Sequence, residues 1–137
     1  MRLDLPPAFF LGAYIRLAML GGLGLLVLGA GASFVTPPAD VTPSSYGLAQ
    51  AVVGLLVFLV HWSWLDRAPK TEYEPILRRA YVTLGALAFL AGVAVFAPLA
   101  LSRAFSGQPA LGETIVAALS LGLAVYFAWR VNAELSS

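Results

Sequence analysis

The chain contains no cysteine, which excludes disulfides, thiolate catalysis and cysteine-held metals and leaves the redox compartment unmarked. It contains a single histidine, so no zinc site can be completed within one chain. Charge is scarce as well. Asp, Glu, Lys and Arg make up 11% of the 137 residues, against about 25% in soluble domains. The net charge of +1 provides no basic field for nucleic acid. Catalytic signatures are missing: there is no Gly-x-Ser-x-Gly elbow, no His-Glu-x-x-His and no phosphate-binding loop. No acidic or basic residue falls at mid-membrane depth, which removes the usual proton or cation relay of a coupled transporter. The chain is read as no enzyme, and the sequence calls for no cofactor.

What is present is apolar. Hydrophobic residues account for 60% of the chain, more than a soluble domain of this size can bury, so lipid is the solvent for part of it. Four long apolar stretches carry that surplus, and the second pair reads as a gapless copy of the first. With Ala13–Trp62 laid on Ala80–Trp129, Tyr14 falls on Tyr81, Leu17 on Leu84, Ala51 on Ala118 and Trp62 on Trp129. The expectation is an all-α integral membrane protein, one domain over residues 1–137. It has four transmembrane helices in two tandem helical hairpins, at about 8–66 and 72–133. Each repeat holds two spans, so the repeats share one orientation about an axis along the membrane normal, and an inverted-repeat transporter is excluded.

Helix 1 is expected from Pro7 or Ala8 to Val35, helix 2 from Tyr46 to Leu65, helix 3 to Leu101 and helix 4 from Leu111 to Ala133. Ala30-Gly31-Ala32 resembles a signal-peptide cleavage site, but the run from Pro7 to Val35 is about twice a typical signal core. Its counterpart near Tyr81 cannot be a signal, so helix 1 is read as retained. Residues 36–43 form a proline-rich loop, with Ser44 and Ser45 able to cap helix 2. Thr71-Glu72-Tyr73-Glu74 fits a capping box ahead of helix 3, and Pro98 is a candidate kink. Ser106-Gly107-Gln108-Pro109 is a turn.

Orientation follows from the bases. Arg67, Lys70, Arg78 and Arg79 sit in the middle connection, Arg2 and Arg16 near the start and Arg130 near the end, with only Arg103 opposite. Both termini are therefore expected in the cytoplasm, in a multi-pass protein of the inner (plasma) membrane. Trp62, Trp64 and Trp129 fall at the same interface, as an aromatic belt does. This bias speaks against dual-topology carriers, which need balanced loops.

Small residues mark helix contacts, at Ala18–Gly22, Ala88–Gly92 and Ala118–Gly122. Their plain reading is packing within the four helices. The glycine face of helix 1 (Gly21, Gly22, Gly24, Gly29) and Arg16 form a second candidate, a contact for a partner chain or lipid. Arg16 is read as snorkelling to the headgroups. Glu113 and Arg130 suit the termini of helix 4, and Ser120 can back-bond to its own helix. His61 lies near the end of helix 2 with Trp64, Asp66 and Arg67. These four are the candidate site for a quinone headgroup, or for haem if a second chain supplies another ligand. Their plain reading is interfacial hydrogen bonding.

The opening motif Leu77-Arg78-Arg79-Ala80-Tyr81 and the closing motif Leu59-Val60-His61-Trp62-Ser63-Trp64-Leu65-Asp66-Arg67 resemble those of an uncharacterised bacterial family of membrane proteins. That family is built from repeated two-helix hairpins, and its domain has no known function. The first copy of the opening, at Tyr14, lacks the arginines, and the second closing has Ala128-Trp129 without histidine. The resemblance implies a four-helix membrane fold and no activity. By subtraction, the expected function is a non-catalytic accessory or scaffolding subunit of a larger membrane complex. Its partners would be the bilayer and other membrane subunits or a second copy. A binding module for a quinone, haem or other hydrophobic cofactor is the alternative, and a small carrier comes third.

Overall fold

A computed structural model describes residues 5–34 and 43–136, with backbone alone for 43–45. Its elements are α1 (Pro7–Ala32), α2 (Pro43–Arg67), α3 (Glu74–Phe105) and α4 (Leu111–Ser136). All four are long and apolar enough to cross a membrane, the lengths and composition of a multi-pass membrane protein. Pro7 and Glu74, the first residues of α1 and α3, correspond under the same alignment that puts Tyr14 on Tyr81.

Helix ends follow local chemistry. α1 begins at Pro7, whose missing N–H costs nothing in a first turn. It stops at Ala32, short of the expected Val35, where the Ser33 hydroxyl donates to the Gly29 carbonyl at 2.9 Å. α3 runs through Pro98 to Phe105, past the expected Leu101. There Gly107, at φ +73°, closes the helix. Its N–H donates to the Ala104 carbonyl (3.1 Å), and that of Gln108 to the Arg103 carbonyl (2.9 Å). The expected capping box is replaced. Thr71 Oγ1 accepts from the Tyr73 N–H at 3.2 Å, and the Glu74 carboxylate turns away to Arg16. α2 starts at Pro43, ahead of the expected Tyr46, so Ser44 and Ser45 lie inside its first turn instead of capping it. Arg2 and the proline-rich loop ahead of Pro43 lie outside the residues described.

The four helices do not form a closed square. α1 packs along α2 and α3 along α4. α1 also touches α4 and, more sparsely, α3, whereas the α2 backbone approaches α1 alone. Leu23 and Val27 of α1, Val82 and Phe89 of α3 and Val116, Ala124 and Phe127 of α4 form the core, and α2 adds Phe58 at its edge. Of each helix's most apolar stretch, 39% is buried within the protein for α1 and 11% for α2. α1 is thus the hub, and α2 lies on its back.

Lipid offers no hydrophobic force between helices, so close packing must hold each hairpin. The two hairpins solve this differently. In the first, a Cβ on Gly22 would lie 2.7 Å from the Gly54 carbonyl oxygen, and one on Gly29 would run into the Ala51 nitrogen. Gly47 and Gly54 reciprocate against Ser33 and Leu26, so the two backbones touch. In the second, Phe127 lies over Gly85, stacked on Phe89 at 5.8 Å and edge-on to Tyr81 at 5.5 Å. Ion pairs clamp that hairpin at both ends, Arg78–Glu134 at 3.0 Å and Arg103–Glu113 at 3.3 Å.

Candidate functional site

Arg16, Arg67, Arg78, Arg79 and Arg130 mark one end of the molecule, where α1 and α3 begin and α2 and α4 finish. His61 sits there on α2, facing α1. Its Nδ1 lies 2.7 Å from the Val57 carbonyl, which can only accept, so Nδ1 carries the proton. Nε2 then accepts from the Tyr14 hydroxyl at 3.1 Å. Both ring nitrogens are thereby used, and a haem iron at Nε2 would have to displace Tyr14.

The four residues expected to form one site are not brought together. The His61 and Trp64 rings do meet, with centroids 5.9 Å apart. Trp64 and Arg67, however, line an open groove of about 430 Å³ with Leu59, Val60 and Ser63, on the side of α2 away from His61. Asp66 is exposed and does not line that groove. Of the expected quinone headgroup set, Trp64 and Arg67 thus share this groove, whereas His61 and Asp66 do not line it.

Arg16 differs from its expectation most clearly. It does not snorkel: its side chain is 6% exposed, ion-paired to Glu74 and donating to the Gly12 carbonyl at 3.3 Å. Lys70 stands 3.9 Å from the same carboxylate. Phe9 packs edge-on against Tyr73 at 5.6 Å, so the first turns of α1 lie beside the α2–α3 connection, and Arg16 is level with the start of α3.

The glycine face of α1 divides. Gly22 and Gly29 are filled by the backbone of α2, and Gly31 by Val116 and Gly112 of α4, which leaves an outside chain no access to them. Gly21 and Gly24 meet nothing within 4 Å and are the two that remain open. Gly122 is also open, so Ala118–Gly122 makes no close contact within the protein. The opposed pairs Gly22/Gly29 and Gly47/Gly54, each two turns apart, were the signal in the sequence for the α1–α2 contact.

Between α1 and the second hairpin lies a crevice with two further cavities. One of about 120 Å³ is bounded by Arg16, Leu17, Leu20, Tyr81 and Leu84. The other, of about 190 Å³, is bounded by Leu20, Gly24, Phe89, Phe96, Val116 and Ser120 among others. Among the described residues no group of three or more His, Cys, Asp or Glu side chains is placed to hold a metal ion.

No curated protein and no solved structure matches the chain. A family model does match, over residues 9–131, which spans α2 and α3 and most of α1 and α4. The chain belongs to the DUF5671 family, a domain of unknown function.

Proposed function

We propose that this chain is a non-catalytic accessory subunit of a larger assembly in the cell's inner membrane. Its two hairpins are tandem repeats of parallel orientation, with both termini and the α2–α3 connection in the cytoplasm. The arginine-rich end supports the orientation, and the correspondence of Pro7 with Glu74 supports the repeat.

The observation that carries the functional reading is the one-sided packing of α2. Among the four helices the α2 backbone approaches α1 alone, while Leu48, Val52, Leu56 and Val60 are 49–61% exposed. A helix pinned at one glycine seam, with the rest of its surface free, presents a long rigid face to a neighbouring subunit. The α2–α3 and α3–α4 connections are short. Native mass spectrometry of the protein extracted with its neighbours tests this. The expected result is a second membrane protein at fixed stoichiometry; a monomer at every detergent strength, from the mildest upward, contradicts it.

A second reading, a binding module for a hydrophobic ligand, is favoured by the 190 Å³ cavity in the crevice. It moves the ligand from the His61 end to the seam between the hairpins.

A further inference from the structure

Ser120 is the polar side chain that the packing does not account for. It is 2% exposed and lies in the middle of α4, well inside both charged ends. A hydroxyl at such depth ordinarily bonds to the carbonyl one turn back. Ser33, Ser106, Thr114 and Ser136 all do so, onto Gly29, Ser102, Ala110 and Asn132. Among the described residues, Ser120 makes no such bond and has no other hydrogen-bond partner. Among the described residues no side-chain polar atom is sealed away without a partner, so the Ser120 oxygen keeps some exposure; Ser120 lines the cavity, with its oxygen above the bare Cα of Gly92.

The cavity narrows the choice of occupant. Its volume is about 190 Å³, and a dry apolar cavity of about 150 Å³ is enough to hold a benzene ring. Ordered water needs two or more polar partners, and the hydroxyl is the one side-chain donor that the wall provides. A helix with its side chains is about 10 Å across and has no room there. No charged residue lines this cavity, so the occupant is uncharged. Leu20 also bounds the 120 Å³ cavity, whose wall reaches Tyr81, so the two spaces are neighbours across that side chain.

We propose that the crevice between α1 and the second hairpin binds an uncharged, carbonyl-bearing ring on an apolar tail, a molecule of the quinone class. The ring sits between Gly24 and Phe96, a ring oxygen accepts from the Ser120 hydroxyl, and the tail passes Leu20 toward Tyr81. This rests on the binding-module reading and names its ligand class. No redox step is involved.

Two probes separate the parts of this claim. Decylubiquinone carries ring carbonyls; decylbenzene has the same tail on a ring without oxygen. Binding of each is measured by titration of the purified protein in lipid nanodiscs, for the wild type, Ser120→Ala and Gly24→Leu. The wild type should hold decylubiquinone about tenfold more tightly than decylbenzene, the size expected of one net hydrogen bond. Ser120→Ala should remove that preference and leave decylbenzene unchanged. Gly24→Leu should abolish binding of both, because a side chain there has open space and fills the cavity without touching a neighbouring backbone. Circular dichroism matching the wild type establishes that each variant is folded. Equal affinity for the two probes, or a preference that survives Ser120→Ala, overturns the proposal and leaves the binding-module reading standing. Unchanged binding in Gly24→Leu overturns the assignment to this crevice. Retention of neither probe removes both.

Discussion

Arg16 shows how one residue's surroundings decide what its charge does. Counted from the start of its own helix it lies about two turns deep, and snorkelling to the headgroups is the natural expectation. The fold instead lowers α3 beside it, so that Glu74 meets a guanidinium that is almost wholly buried. Removing one member of such a pair leaves the other charge without a counter-ion, at a cost of about 3 kcal/mol, whereas removing both is far milder. Glu74→Gln should therefore lower unfolding stability in micelles by about that amount, and Arg16→Met with Glu74→Gln should recover most of it. If Glu74→Gln alone unfolds like the wild type, Arg16 draws its counter-charge from elsewhere. Tyr14 and His61 form a weaker link at the exposed edge of the same end. Tyr14→Phe removes one hydrogen bond to a nitrogen that water can reach, so its expected cost is at most about 1.5 kcal/mol.

At the scale of elements, the two hairpins differ in what fills the seam. Where α1 carries Gly22 and Gly29, the aligned positions of α3 carry Phe89 and Phe96. Backbone meets backbone in one hairpin, and rings fill the gap in the other. The glycines of α1 are therefore mostly an internal seam. Gly22→Leu should separate α1 from α2, with a loss of about 3 kcal/mol or more, because the Gly54 carbonyl and the Phe58 N–H stand where the side chain would go. Gly21→Leu and Gly122→Leu face open space and should change stability by no more than about 0.5 kcal/mol. Equal effects at Gly21 and Gly22, measured by denaturant titration in micelles, would place the seam elsewhere. The spans were legible in the sequence because length and hydropathy suffice for them. Which face of each span is buried was not, since lipid-facing and core-facing residues are equally apolar and the periodicity that betrays a soluble helix is weak. For the same reason Tyr14, Glu74 and Ser120 gave no sign of their roles. Each depends on a partner or a gap that arises only when α1 meets another helix.

Across the whole molecule, α1 joins two unlike halves and α2 stands apart from the second. The proposed orientation has a simple check. With Ser106→Cys or Lys70→Cys as the only thiol in the chain, an impermeant reagent added to intact cells should label the first and spare the second. Labelling of Lys70→Cys alone would reverse the topology.

The central claim, that α2 presents its free face to another subunit, is tested most directly by photo-crosslinking in native membranes. Benzoylphenylalanine is placed at Val52, Leu56 or Val60 on that face, and at Leu87 of α3 for comparison; all four positions are 49–59% exposed. The account predicts protein adducts of one discrete mass from the α2 positions, and lipid adducts from Leu87. Lipid adducts alone from every α2 position would contradict it.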